Sequence, residues 1–192
     1  MKPGIVVIAE LSGSVAERIH EVQERYDPRM AAELPPHLTL IGSSGMGPIS
    51  VRTSPETLRE ALLPVTQVTP PLTLQFDPPI RFMQSNVVVL PLDPNGPVRA
   101  LHEAMAERIR AAHIVTERAR FTFTPHCTLN LYRELPERAV KELLGVRFDD
   151  PVVVDEIQAY RARGASGTQR IFELGLGDGV TDPKAHLKLP RN

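Results

Sequence analysis

Pro36-His37-Leu38-Thr39-Leu40 and Pro125-His126-Cys127-Thr128-Leu129 are one phrase written twice, P-H-x-T-L, 89 positions apart in register. Each copy reads as a β-strand, because β-branched and apolar residues follow a proline that breaks whatever precedes it. Side chains on a strand alternate faces, so His37 and Thr39 point one way and Leu38 and Leu40 the other. His126 and Thr128 stand in the same relation to Cys127 and Leu129. The apolar pair of each copy can pack beneath helices, which leaves a His/Thr pair displayed on the opposite face.

Working outward from these strands gives the order of elements. Residues 4–9 (GIVVIA) read as a buried strand. A helix follows, capped by Ser12 or Ser14, with Val15, Ile19 and Val22 at helical spacing, and Asp27-Pro28 ends it. After the first motif comes a glycine-rich loop, 42–48, and then a helix opened by Ser54-Pro55. Strands are expected over 72–76 and 86–92, with a hairpin tip between them that carries Arg81 and Phe82. Asn95-Gly96-Pro97 opens a helix to about residue 112, with Val98, Leu101, Met105 and Ile109 on its buried face. A strand over 121–131 holds the second motif. A short helix from Pro136 to Gly145 and strands over 152–161 and 170–176 complete the pattern. From the first helix onward the unit α-β-α-β-β occurs twice, with one motif on the second element of each unit. The expected fold is α+β: a bilobal, pseudo-two-fold duplication with mainly antiparallel sheets flanking a central cleft and helices outside. One such domain spans 1–177, and 178–192 reads as a flexible tail.

Composition narrows the partners. Of 192 residues, 22 are Lys or Arg and 23 Asp or Glu, a net charge of −1. A protein that grips long nucleic acid by neutralising phosphates carries a basic excess, so contact with RNA is expected at an end or with a small nucleotide. Cys127 is the single cysteine, which excludes an internal disulfide and fits a reducing compartment. Neither a signal peptide nor a run of ~20 apolar residues is present, so the chain reads as cytoplasmic, with no membrane contact, and as a monomer.

The paired motif suits phosphodiester chemistry. Cleaving such an ester needs a base for the nucleophile and an acid for the leaving oxygen, and histidine supplies both near neutral pH. Threonine hydroxyls two residues along can donate to the non-bridging phosphate oxygens. No H-E-x-x-H or cysteine-rich spacing points to a metal, and no cofactor is expected.

At these residues the chain resembles the two-histidine (2H) phosphoesterase superfamily, and within it the bacterial 2′-5′ RNA ligase and 2′,3′-cyclic phosphodiesterase branch. The likeness runs from Ile5 to about Leu176. It implies a metal-free enzyme that opens 2′,3′-cyclic phosphates, often to a 2′-phosphate, or makes and breaks 2′-5′ linkages. It makes His37 and His126 the acid and base, in unassigned order, and Thr39 and Thr128 the phosphate ligands. Two flanks depart from that branch. Ile41-Gly42-Ser43-Ser44-Gly45 follows the first motif in place of a basic and aromatic strand end, and Asn130-Leu131-Tyr132 separate the second motif from Arg133. Ser43, Arg81, Phe82, Tyr132 and Arg133 are further candidates for substrate contact. Tyr160 and Arg161 also lie near a strand end, and Cys127 reads as a buried hydrophobe. The competing readings are a phosphodiesterase for a small cyclic nucleotide-type substrate, a non-catalytic binder of RNA ends or nucleotides, and a metal-dependent hydrolase.

Overall fold

Strand β1 (Gly4–Glu10) is buried along nearly all of its length, as its unbroken apolar run requires. The computed structural model describes residues 3–82, 85–162 and 167–177. After β1 come α1 (Gly13–Tyr26), the four-residue α2 (Pro28–Ala31) and the first motif strand, β2 (His37–Ile41). Then follow α3 (Pro55–Val68), β3 (Leu72–Leu74) and β4 (Ile80–Arg81). The second half consists of β5 (Val88–Pro91), α4 (Pro97–Ala111), the second motif strand β6 (His126–Thr128), α5 (Glu137–Leu144), β7 (Val152–Val154) and β8 (Glu156–Ala162). A further strand, β9 (Thr168–Gly175), closes the sequence of elements.

Seven strands form one sheet in the order β4-β5-β6-β2-β1-β8-β9, and every neighbouring pair is antiparallel. A second sheet pairs β3 with β7. This order has a hidden dyad. Exchanging β1 with β5, β2 with β6, β3 with β7 and β4 with β8 maps the β2–β6 and β3–β7 pairs onto themselves and β1–β8 onto β5–β4. The duplicated α+β architecture is therefore present, but its unit is β-α-β-α-β-β and begins at β1. The sequence suggests a frame one strand later because β4 is only two residues long and sits after two prolines, which leaves β5 to be taken as the closing strand of the first half.

Two long strands expected from the sequence are shorter here. The run 121–131 contributes only His126–Thr128 to a ladder, since Pro125 has no N–H to offer; its carbonyl accepts from Leu92 instead. Burial still alternates from Phe123 to Leu129, so that segment stays extended. The run 152–161 divides at Asp155: β7 joins β3, and β8 joins the main sheet. Ser54 caps α3 as expected, accepting from Thr57 N–H at 3.1 Å. Ser12 occupies the cap position of α1 without making that bond. The segment 178–192 lies outside the described residues.

Leu38, Leu40, Cys127 and Leu129 are at most 1% exposed and join Ile19, Leu101 and Met105 of the overlying helices in one core. At about 25 cal/mol per Å², such burial is what fixes the register of the two motif strands. A slip of one residue would drive both histidines into this core. Among the described residues, no helix is long and apolar enough to cross a membrane.

Candidate active site

The two motif strands are neighbours at the centre of the sheet, paired antiparallel with Leu38 opposite Cys127. One step to either side sets His37 beside Thr128 and Thr39 beside His126. The repeat thus forms a crossed quartet on the face away from the helices, and all four side chains are half-buried there. His37 and His126 are diagonal neighbours, about 7–8 Å apart at the backbone. That span accommodates a tetrahedral phosphate with one imidazole at each end.

Both rings are held in the same way. His37 Nδ1 lies 2.7 Å from the carbonyl of Pro35, and His126 Nδ1 lies 2.7 Å from the carbonyl of Thr124. A carbonyl only accepts, so each Nδ1 carries the hydrogen and each Nε2 is left as the proton-active atom. Burial lowers the pKa of His37, the carbonyl of Pro35 partly opposes this, and the neighbouring charge of His126 lowers it further. Burial also lowers that of His126, against the carbonyl of Thr124. A charged His126 thus disfavours a proton on His37. Phe82 packs on His126 with ring centroids 4.7 Å apart.

Polar residues to which the sequence reading gave no part in the site lock the quartet in place. Gln23, on α1, donates to the carbonyl of Thr128 at 2.8 Å. His102, on α4, donates from Nδ1 to the carbonyl of Leu40 at 2.7 Å and stacks on Phe123. Each helix so reaches across the dyad to the motif strand of the other half. Asp27 accepts from the backbone N–H groups of Leu131, Tyr132 and Met30 at 2.6–3.2 Å, and from Arg133 at 3.4 Å. Its burial would raise its pKa, but these four bonds outweigh that and hold it low. Asn130 accepts from Val88 N–H at 2.9 Å and donates to the carbonyl of Asn86 at 3.0 Å, tying the end of β6 to β5. The only sequence signals were local: Asp27 before a proline, a good cap for α2, and an asparagine just after the motif.

The lesser candidates are placed unevenly. Phe82 is beside the quartet. Arg81 departs from the expectation of substrate contact: it pairs in register with buried Val88 on the helix side of the sheet and is bound to Glu137 of α5. Alternation along β4 explains why these neighbours face opposite ways. Ser43 is exposed beyond the far end of β2, past a register shift between β1 and β2. Tyr132 donates to Glu33 at 2.6 Å and lies under the Arg29 guanidinium, and burial together with Glu33 pushes its phenol up to about 12. Arg133 is exposed at the end of β6, where it lines a 190 Å³ pocket with Asn130 and Asn86. Burial pushes the Cys127 thiol up to about 12, as befits a packed side chain. On the β1 side of the quartet, Glu10 stands opposite His37 in register; burial raises its pKa, Arg170 lowers it, and Glu156 and Glu173 raise it by smaller effects. Among the described residues, no three His, Cys, Asp or Glu side chains are grouped so as to hold a metal ion.

A duplicated antiparallel sheet with a His/Thr quartet at its seam defines a phosphoesterase of the two-histidine kind. The sequence model of the 2′-5′ RNA ligase superfamily matches residues 11–165, and the chain belongs to that family. A Geobacillus sp. (strain WCH70) protein whose name describes it as a phosphoesterase is 28% identical over 145 residues, 76% of each chain. The fold is shared with Escherichia coli LigT: the complex with 3′-AMP superposes with a TM-score of 0.58 at 18% identity, covering 91% of this chain and 97% of that one. A Thermus thermophilus protein gives a TM-score of 0.64 at 16% identity, covering 90% and 97%.

Proposed function

We propose that the protein is a metal-independent phosphodiesterase that opens 2′,3′-cyclic phosphate ends of RNA and, by the related transfer, makes or breaks 2′-5′ linkages. The observation that carries this reading is the crossed quartet, in which both Nδ1 atoms are committed to carbonyls, leaving each Nε2 as the atom that exchanges a proton. His37, in the direction written here, takes a proton from water as the water oxygen bonds to phosphorus. His126 gives a proton to the departing ribose 3′ oxygen as the P–O bond breaks, leaving a 2′-phosphate. Thr39 and Thr128 donate to the non-bridging oxygens, where charge accumulates in the transition state. Binding of 3′-AMP by E. coli LigT supports a nucleotide as the reacting partner.

The test is hydrolysis of a short RNA ending in a 2′,3′-cyclic phosphate, in EDTA, by wild type, His37→Ala and His126→Ala. Each variant should lose on the order of 10²–10⁴ in rate. Turnover that survives in either folded variant would falsify the paired mechanism, and activity abolished by EDTA would return the metal-dependent reading.

A further inference from the structure

The dyad of the fold relates residues as well as strands. Ile8 of β1 stands opposite Thr39, and Val89 of β5 stands opposite Thr128, so these two correspond. Gln158 of β8 is opposite Ile8, and Ile80 of β4 is opposite Val89. Two residues further along each outer strand come Tyr160, opposite Val6, and Phe82, whose N–H donates to the carbonyl of Val87 at 2.8 Å. Tyr160 is therefore the dyad mate of Phe82. Directly opposed residues share a face and alternate residues return to it, so Thr39, Ile8, Gln158 and Tyr160 all stand on the face of the quartet.

Phe82 packs on His126, and Tyr160 belongs to the half of the dyad that holds His37. Thr168, opposite Ala162, donates to the carbonyl of Glu33 at 2.9 Å, so this end of the β8–β9 pair lies against the chain that enters β2. Burial raises the pKa of the Tyr160 phenol, Glu10 raises it further, Arg170 opposes them, and Glu156 and Glu173 add to the rise. Tyr160 thus feels the charge of Glu10, which is in register with His37. Two of these charges have close partners: Arg170 pairs with Glu173 at 3.1 Å, and Glu156 accepts from Gln158 at 2.6 Å. The hydroxyls of Tyr26 and Tyr132 donate to Glu142 and Glu33, whereas that of half-buried Tyr160 makes no hydrogen bond among the described residues. Such a ring, with one face of the sheet beneath it and its hydroxyl uncommitted, is a platform on which a nucleobase can stack.

We propose that the site seats two nucleosides, one at each end of the quartet. The ribose that bears the cyclic phosphate lies at Phe82 and His126, and the nucleoside whose 5′ oxygen takes the place of water lies at Tyr160 and His37. This rests on the activity argued above and assigns a seat to the second partner of its 2′-5′ branch. In joining, the 5′ hydroxyl gives its proton to His37 as its oxygen bonds to phosphorus. The bond from phosphorus to the ribose 3′ oxygen breaks as His126 supplies a proton, which leaves a 2′-5′ linkage. Cleavage runs the same steps backwards. Hydrolysis of a cyclic phosphate fills the Phe82 seat alone.

The experiment compares cleavage of adenylyl-(2′→5′)-adenosine with hydrolysis of adenosine 2′,3′-cyclic phosphate, for wild type, Tyr160→Ala, Tyr160→Phe and Phe82→Ala. Tyr160→Ala should cut the ratio of kcat/KM for the dinucleotide to that for the cyclic nucleotide about tenfold, through KM, the worth of one stacked base. Tyr160→Phe should restore the ratio, and Phe82→Ala should lower both rates together. A ratio unchanged in Tyr160→Ala overturns the proposal while leaving the activity intact, as does a wild type that opens the cyclic nucleotide and never cleaves the dinucleotide. Should wild type leave the cyclic nucleotide unopened, the activity fails, and calorimetry with the dinucleotide and with adenosine 2′-phosphate decides separately. A loss in Tyr160→Ala confined to the dinucleotide sustains the second seat. Dinucleotide binding that is absent in wild type, or that Tyr160→Ala weakens no more than binding of the monophosphate, overturns it.

Discussion

Thr39 and Thr128 offer the cleanest single-atom experiment, because valine keeps the branched shape that the strand favours and removes only the hydroxyl. Thr39→Val and Thr128→Val should each lower kcat/KM roughly 10–100-fold, the worth of one hydrogen bond to a charged group, with Tm changed by no more than a degree or two. Unaltered kinetics in both would strip the threonines of the phosphate role. The histidines make a second claim testable by pH. Both are depressed in the free protein, so the bell in kcat/KM should centre on the acid side of the ordinary histidine value of ~6.5. A bound phosphodiester anion favours the imidazolium, so the bell in kcat should lie at higher pH. NMR titration of His126→Ala should show the pKa of His37 rising once its charged neighbour is gone; no rise would show that burial alone sets it. This pair was legible in the sequence because the motif is contiguous and strand alternation sorts its faces. The long-range bonds of Gln23, Asp27 and His102 were not legible, because those partners lie 62 to 106 positions away.

Asp27 stands at the junction of two elements, ending α1 and capping α2 while it gathers the backbone beyond β6. Asp27→Ala would leave several part-buried N–H groups without this acceptor, at a cost of about 3 kcal/mol. Asp27→Asn keeps one good acceptor oxygen and should recover part of that. Chemical denaturation reads both, and a loss below ~1 kcal/mol for alanine would mean that water replaces the carboxylate. Elements with a strong period, α1, α3, α4 and β1, could be read from their letters. The sheet edges could not. The two-residue β4 carries no period at all, and β7 and β8 read as one strand because only the tertiary fold sends Val152–Val154 to one sheet and Glu156–Ala162 to another.

At the scale of the molecule, three depressed histidines, His37, His126 and His102, link the fold to pH. Between their folded values and ~6.5 the unfolded chain binds more protons, so stability rises with pH in that window. Their contribution is complete above ~6.5 and is lost as pH falls through the folded values. Thermal melts should show Tm dropping from pH 7 towards pH 5, with a shallower slope in His102→Gln. An equal slope would assign the acid sensitivity elsewhere. The place of β1 in the strand order also bears on how the molecule is made. This strand precedes every other described element in the chain, yet it lies inside the sheet, between β2 and β8. Its partner Gln158 stands 150 positions after Ile8. Until that late segment emerges, β1 holds one open edge, and the β1–β2 pair is a template for unwanted strands. Vectorial synthesis can begin this fold but cannot close it until β8 has been made.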